Sequence, residues 1–275
     1  LDKYMDYLEE NSKIFSFQIT IDGVEDIHNE RKPHYRNKDS FAKITSNVDS
    51  LLKLGISVSI RINTDPYTME RADELLDYFK EKGWLQYQNF KAYYALLRKE
   101  VPIKGENGEY SKEMFTQSSF FCTYLQKGLE KQGCGKVMCQ DYSVRSVLTN
   151  MLLGKSTPYK SHFCGAQSGM IIFDPLGDIY SCWDVVGQRE YRVGHYMPDF
   201  VLEDTFADKW FDSRVSKFSC IKCKYVLFCG GGCLANAIRT TGNLQSGTCN
   251  DYSRLFNAEI KYIYNEKIKK GIDEN

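Results

Sequence analysis

Seven of the ten cysteines follow one another in a spaced order. They run Cys164, then Gly177-x4-Cys182, then Cys220-x2-Cys223-x5-Cys229-x3-Cys233, then Cys249. Thiolates are soft anionic ligands suited to zinc and to iron–sulfur clusters. Seven exceed the four that close a structural zinc site. They approach the eight that two clusters take, at about four cysteines each. A zinc site could use Cys220 with Cys223 and Cys229 with Cys233, but Cys164, Cys182 and Cys249 would then have no role. The histidines, His28, His34, His162 and His195, are scattered and show no ligand spacing. Disulfide scaffolds belong to short secreted chains, so ten cysteines in a long chain with βα patterning point to a reducing, cytoplasmic setting. The second half therefore reads as a mount for two iron–sulfur clusters. Gly230-Gly231-Gly232, lacking side chains, would let backbone approach a bulky inorganic core.

The totals narrow the field further. The chain has 275 residues, room for one large or two modest domains, and 36 Lys+Arg balance 36 Asp+Glu. Neutrality argues against nucleic acid, whose binding draws on clustered cations. No run approaches the roughly 18 apolar residues of a membrane span. The opening residues form an amphipathic helix with Leu1, Tyr4, Met5 and Leu8 on one face, not a signal peptide. With no initiator Met, the start reads as a fragment boundary.

The elements that must position the chemistry begin with residues 1–97, where strand and helix patterns alternate. Phe15, Phe17, Ile19 and Ile21 alternate with polar neighbours, as do Ile56, Val58, Ile60 and Ile62. Between them Ser40 can cap a helix carrying Phe41, Ile44, Val48, Leu51 and Leu52, which Gly55 ends. Another helix holds Leu75, Leu76 and Phe79 and stops at Gly83, and Phe90 to Leu97 reads as a third strand. Such alternation predicts parallel strands with crossover helices. Parallel strands covered on both faces should be apolar on both. These two are polar on one face, which predicts a partial (β/α) barrel with a polar lumen. Gln18, Thr20, Asp22, Arg61 and Asn63 line it near strand C-termini, where barrel sites form. The alternative is a solvated sheet face.

Residues 98–163 form a bridging region. It contains a loop at Gly105-Glu106-Asn107-Gly108, helical patterns at Phe120 to Leu129 and Tyr142 to Leu153, and Cys122, Cys134 and Cys139. Pro158 to Phe163 makes a junction. Beyond it Met170 to Phe173 and Ile179 to Trp183 form a β-hairpin about Pro175-Leu176-Gly177-Asp178. Cys233 to Thr241 is a short helix, and Arg254 to Lys270 a closing one that includes Ile268.

The cysteine order and the strand motifs together resemble the radical S-adenosylmethionine (SAM) enzymes with a SPASM domain, which modify peptides and proteins. The seven-cysteine pattern resembles the SPASM domain itself. Gln18-Ile19-Thr20-Ile21-Asp22-Gly23, with His28 and Arg31, is similar to the fourth strand of that family's partial barrel. Val58 to Asn63 resembles the fifth and Phe90 to Leu97 the sixth. The resemblance implies three parts: a half-barrel over residues 1–97, a variable bridge over 98–163, and a small α+β SPASM domain with its hairpin and a C-terminal helix over 164–275. It implies two auxiliary 4Fe–4S clusters. Cys220, Cys223, Cys229 and Cys249 would hold the outer one, and Cys164, Cys182 and Cys233 the inner one. The inner fourth position would be Cys122, Cys134 or Cys139, or an open iron able to bind a substrate thiolate. Trp183, Tyr225 and Phe228 could supply a dry shell.

The family's catalytic 4Fe–4S cluster sits on a Cys-x3-Cys-x2-Cys loop, which this chain does not contain. The resemblance therefore implies the C-terminal portion of a longer enzyme or, alternatively, a degenerate homologue; as given the chain would not cleave SAM. In the intact enzyme a reduced cluster splits SAM to a 5′-deoxyadenosyl radical that takes hydrogen from a peptide carbon. Thr20 and Arg61, then Gln18, Asp22 and Asn63, would contact SAM. The implied partners are a precursor peptide or protein and an electron donor such as flavodoxin or ferredoxin. The implied product is a thioether or other crosslink in a ribosomally made peptide, or formylglycine in a sulfatase. A non-catalytic electron-transfer or peptide-binding module is the alternative of another class.

Overall fold

A computed structural model describes residues 2–36, 38–97, 115, 117–140, 144–157, 159–204, 207–249 and 251–265. The chain divides into two compact units, Leu1–Ser143 and Val144–Asn275. The expected bridge is thus shared between them.

The first unit is built on four parallel strands in the order β1 (Ser16–Thr20), β2 (Ser57–Thr64), β3 (Phe90–Leu96) and β4 (Val137–Cys139). Its helices are α1 (Met5–Glu10), α2 (Glu25–Arg31), α3 (Phe41–Lys53), α4 (Pro66–Glu70), α5 (Ala72–Glu81), α6 (Gln117–Gln126) and α7 (Leu129–Gln132). Parallel neighbours need crossovers, and α2 with α3, then α4 with α5, supply the first two. Val58, Ile60 and Ile62 of β2 are buried with Leu51, Leu52, Leu75, Leu76 and Phe79 from the helices. Ser59, Arg61 and Asn63 on the other face are only half-buried. The alternation read from the sequence is therefore physical.

Two local expectations change. Tyr4 is exposed and Leu1 lies outside the described residues; the first helix reaches the core through Leu8 and Met5. Ser40 does not cap α3 with its side chain. Instead the Asn29 carbonyl oxygen accepts from the N–H groups of Ser40 and Phe41, at 2.9 and 3.0 Å, and Asp39 accepts from Ala42. Helix starts need some acceptor for their first N–H groups, and it need not be sequence-local.

The second unit opens with α8 (Val144–Leu152). Four short antiparallel strands follow in sequence order: β5 (Ile172–Phe173), β6 (Asp178–Tyr180), β7 (Gly194–His195) and β8 (Val201–Leu202). Then come α9 (Val226–Cys229), α10 (Leu234–Thr241) and α11 (Tyr252–Ile263). Ile172, Ile179, Tyr180, Trp210, Val215, Phe218 and Leu234 are among the residues of its core. The loop expected at 105–108, Pro158 of the junction, and Ile268 with the end of the last helix lie outside the described residues. Among the described residues no helix is long and apolar enough to cross a membrane.

Asp65 shows how the first unit is tied together. Its carboxylate accepts from the Thr68 N–H at the start of α4 and pairs with Arg31 of α2 at 2.6 Å. Burial alone would raise the Asp65 carboxyl, but the Arg31 and Thr68 hydrogen bonds outweigh it and the net shift is downward. A lowered carboxyl contributes stability above its unfolded pKa and loses it as pH falls through the folded one. Asp65→Asn keeps a capping oxygen and removes the charge. It should cost about 1 kcal/mol near neutrality, in the range of an exposed-to-half-buried pair. In urea titrations the gap from wild type should close below about pH 4, where an ordinary aspartate is itself protonated.

Candidate functional site

The cysteine site lies wholly in the second unit, and all ten cysteines of the chain are thiols rather than disulfides. Three of the seven patterned thiols, Cys182, Cys220 and Cys229, are raised by burial and by the charge of neighbouring thiols. Burial pushes the Cys182 thiol up to about 12, and negative charge at Asp184, Cys233 and Cys164 adds to the rise. Burial likewise raises Cys229, with Cys220, Cys249 and Cys223 adding to it, and raises Cys220, with Cys223 and Cys249. Cys164, Cys182 and Cys233 are thus electrostatic neighbours, and Cys220, Cys223, Cys229 and Cys249 form the other set.

Local structure explains the spacing. Gly177 has φ of 100° in the turn between β5 and β6, a conformation costly for other residues. Asp174 closes that turn by accepting from the N–H groups of Leu176 and Asp178. The strand that follows has a fixed length and delivers Cys182 just beyond it. Cys164 is held from behind by Gln167, a fully buried side chain. Its oxygen accepts from the Phe163 N–H at 2.9 Å, and its amide donates to the Ser213 carbonyl at 2.6 Å.

The three consecutive glycines do something other than admit a metal core. Gly230, Gly231 and Gly232 all have left-handed φ, between 76° and 85°. A Cβ on Gly230 would sit 2.4 Å from the His162 carbonyl oxygen, one on Gly231 2.4 Å from the Phe218 ring, and one on Gly232 2.0 Å from the Thr248 carbonyl oxygen. The space is filled by protein. The run brings the segment before Cys164 and the segment before Cys249 against the loop between Cys229 and Cys233. Hydrogen bonds complete the seam: Thr248 N–H to the Gly231 carbonyl at 2.7 Å, Thr248 hydroxyl to the Cys233 carbonyl at 2.9 Å, and Lys160 N–H to the Leu227 carbonyl at 2.6 Å.

The donor set suits iron–sulfur clusters. Buried thiols that repel one another's charge resist ionising alone, and a bound cationic core removes that penalty. The Asp184 N–H donates to the Cys182 sulfur and the Gly231 N–H to the Cys229 sulfur, favouring the thiolate in both sets. Such N–H to sulfur bonds also set cluster potential. Among the described residues no group of three or more His, Cys, Asp or Glu is placed to hold a metal ion.

The shell expected around the thiols is only partly present. Trp183 is 71% exposed. Tyr225 and Phe228 pack in tilted contact with Phe256, at ring-centroid distances of 5.3 and 6.0 Å. Cys122 lies on α6, Cys134 in an exposed left-handed turn, and Cys139 at the end of β4, all in the first unit.

On the sheet of the first unit the five polar residues share one region. Thr20 and Arg61 are register partners on β1 and β2. The Arg61 Nε donates to the Asn63 carbonyl oxygen at 3.0 Å, and the Asn63 amide donates to Asp22 at 2.9 Å. Lys32 pairs with the other Asp22 oxygen at 3.4 Å. The Asp22 N–H is received by His28 Nδ1 at 3.0 Å, and burial lowers His28, which keeps its ring neutral. Gln18 accepts from the Tyr93 hydroxyl at 2.8 Å. Asp22 is buried and engaged on both oxygens, so it orients Asn63 and, through it, Arg61. Tyr93, the β3 register partner of Arg61, belongs to this face as well. Its signal was the same alternation, between the buried Ala92 and Tyr94.

No protein-family model matches the chain. It is 22% identical over 285 residues to a serine-type anaerobic sulfatase-maturating enzyme of Bacteroides thetaiotaomicron, covering 95% of this chain and 66% of that protein. It is 23% identical over 240 residues to a cysteine-type enzyme of Clostridium perfringens, covering 84% of this chain and 61% of that one. The chain is homologous to the anaerobic sulfatase-maturating enzymes. These homologues are radical SAM maturating enzymes. The chain spans about two thirds of the length of these relatives. Its fold matches native anSMEcpe with bound AdoMet at a TM-score of 0.64 and 18% identity, covering all of this chain and 73% of that one. It matches Streptococcus suis SuiB bound to S-adenosylmethionine at 0.59 and 12% identity, covering 90% and 56%.

The glycine seam makes a measurable claim. Gly232→Ala should destabilise the second unit by about 3 kcal/mol or more, because strain at positive φ adds to a clash with backbone that cannot swing aside. Gly242→Ala, with similar φ of 70° but open space around it, should cost only about 1–2 kcal/mol. Denaturant titrations of the two variants, followed by aromatic fluorescence, test the difference.

Proposed function

We propose that this chain is the C-terminal part of a radical SAM maturase acting on a peptide or protein, with two auxiliary 4Fe–4S clusters in its second unit. What supports this reading is that Cys182 feels the charge of Cys164 and Cys233, while Cys229 feels that of Cys220, Cys223 and Cys249, all in one unit and in the ligand order that the resemblance implies. Cys220, Cys223, Cys229 and Cys249 hold the outer cluster. Cys164, Cys182 and Cys233 hold the inner one. The four-stranded parallel sheet is the C-terminal part of a partial barrel. Thr20 and Arg61 are first among its SAM contacts, with Gln18, Asp22 and Asn63 supporting them. SAM supplies the hydrogen-abstracting radical chemistry, which also needs the Cys-x3-Cys-x2-Cys cluster loop of an intact enzyme. The chain's own residues orient the cofactor and carry electrons to or from the site.

The substrate is a peptide or protein segment. Solved structures of anSMEcpe hold AdoMet with Kp18Cys and Cp18Cys peptides, and both share this fold at TM-scores of 0.60 and 0.59. The relatives favour a sulfatase-type product, in which a serine or cysteine is oxidised to formylglycine. The crosslinking reading draws on a separate observation. The inner set has three thiols in its unit, and its fourth position would be Cys122, Cys134 or Cys139, or an open iron able to take a substrate thiolate. A flavodoxin or ferredoxin in the cytoplasm is the proposed electron source.

Anaerobic purification with iron and sulfide analysis tests the metal reading. About eight irons and eight sulfides per chain are expected, given the usual four thiolates per cluster. Cys249→Ala and Cys164→Ala should each lower iron by about half, and the double variant should lose nearly all. Stoichiometric zinc without sulfide would overturn the assignment.

A further inference from the structure

Two fully buried side chains of the second unit, Trp210 and Ser181, carry a polar group that the protein does not engage. Neither the Trp210 indole N–H nor the Ser181 hydroxyl has a hydrogen-bond partner among the described residues. The Ser213 hydroxyl, by contrast, donates to the Lys209 carbonyl at 2.8 Å. A buried donor left unmet forfeits its hydration with nothing in return, so each such group calls for an acceptor. Both donors stand by the inner thiols. Ser181 immediately precedes Cys182. The turn Ala207–Phe211, which carries Trp210, packs against the turn Gly165–Gln167, which follows Cys164. Cys164 and Cys182 both border the core to which Trp210 belongs. An indole N–H can only donate. The sulfurs of an iron–sulfur core are acceptors, and they carry negative charge.

We infer that the Trp210 indole N–H and the Ser181 hydroxyl are hydrogen-bond donors to the sulfurs of the inner cluster and hold its reduction potential up. The inference rests on the cluster reading above. A hydrogen bond strengthens as its acceptor gains negative charge. Donation to sulfur therefore stabilises the reduced core more than the oxidised one, and the potential rises. Burial adds to the effect, because a donor shielded from water interacts more strongly than an exposed one. The two side chains extend the backbone donation that Cys182 already receives from the Asp184 N–H.

Redox titration of the iron-loaded chain, followed by electron paramagnetic resonance, tests this. Cys249→Ala leaves the inner cluster to be observed, and Cys164→Ala leaves the outer one. Trp210→Phe keeps an aromatic ring and removes the N–H, and Ser181→Ala removes the hydroxyl. Each should shift the inner reduction equilibrium about tenfold toward the oxidised form, which is a fall of about 59 mV for one electron. The outer potential and the iron and sulfide content should not change. Tyr196→Phe is the control, because its hydroxyl already donates to the Asp174 carbonyl at 2.6 Å. An inner potential unchanged in both variants would overturn the inference, as would an equal fall in the outer potential or in Tyr196→Phe. Where a variant does not fold or load iron, indole 15N labelling without change at either donor decides. Trp183→Phe removes the exposed tryptophan beside Cys182, and Trp84 donates to Asp49 in the first unit. In that labelled protein a 15N coupling to the reduced inner cluster should come from Trp210, and its absence overturns the inference in favour of internal water as the acceptor. A wild-type chain that binds no iron and sulfide overturns the cluster reading and this inference together.

Discussion

The second unit depends on a backbone constraint more than on its core. Seven thiols come from four separate segments, and three of those segments meet at Gly230-Gly231-Gly232. Left-handed φ at three consecutive positions is open to glycine at little cost and strained for other residues. The absent Cβ atoms also let the His162 and Thr248 carbonyls and the Phe218 ring close on the loop. Small, loop-rich units bury little apolar surface for their size, and many lean on metals or crosslinks. Here the seam sets where Cys164, Cys229, Cys233 and Cys249 begin. The hairpin places Cys182 independently through its Gly177 turn. Metal would then bind a partly preformed site and lose less to ordering.

The first unit meets a different constraint. A polar sheet face must satisfy its side chains without surrendering their orientation. Asp22 does this from a buried position. It takes Asn63 on one oxygen and Lys32 on the other, while its N–H rests on a neutral His28. Asn63 in turn holds Arg61 by Nε. A guanidinium held by Nε keeps a fixed plane, which a planar carboxylate partner can match. The chain from α2 through Asp22 to β2 is thus a means of aiming one side chain. His28 Nε2 is buried with no partner among the described residues, so that orientation is held at some cost in unsatisfied hydrogen bonding.

Much of this was legible from residue order, for reasons that differ by element. Long periodic segments such as α3, α5 and β2 declare themselves because one face must be apolar over many residues. The grouping of the thiols was legible because their spacing along the chain resembles a known ligand order. Strands β4, β7 and β8 were not, since two or three residues cannot display a period. The Asn29 cap on α3 comes from another helix, and no local motif could reveal it. The glycine run was seen, but its purpose was misread. Sequence shows that side chains are missing, not which neighbour fills the space.

Charge near the inner thiols follows a similar logic. Asp184 acts on Cys182 in two opposed ways, since its N–H favours the thiolate and its carboxylate disfavours it. Arg239 of α10 stands 3.8 Å from that carboxylate. Both groups are partly exposed, so the pair is worth little as a stabiliser. Its value lies in position. Offsetting the Asp184 charge leaves the N–H donation opposed chiefly by burial, the larger influence on Cys182. Arg239 lies six residues after Cys233, on the helix which that cysteine begins. The same short helix therefore supplies a thiol to the inner set and a cation to the neighbour of another.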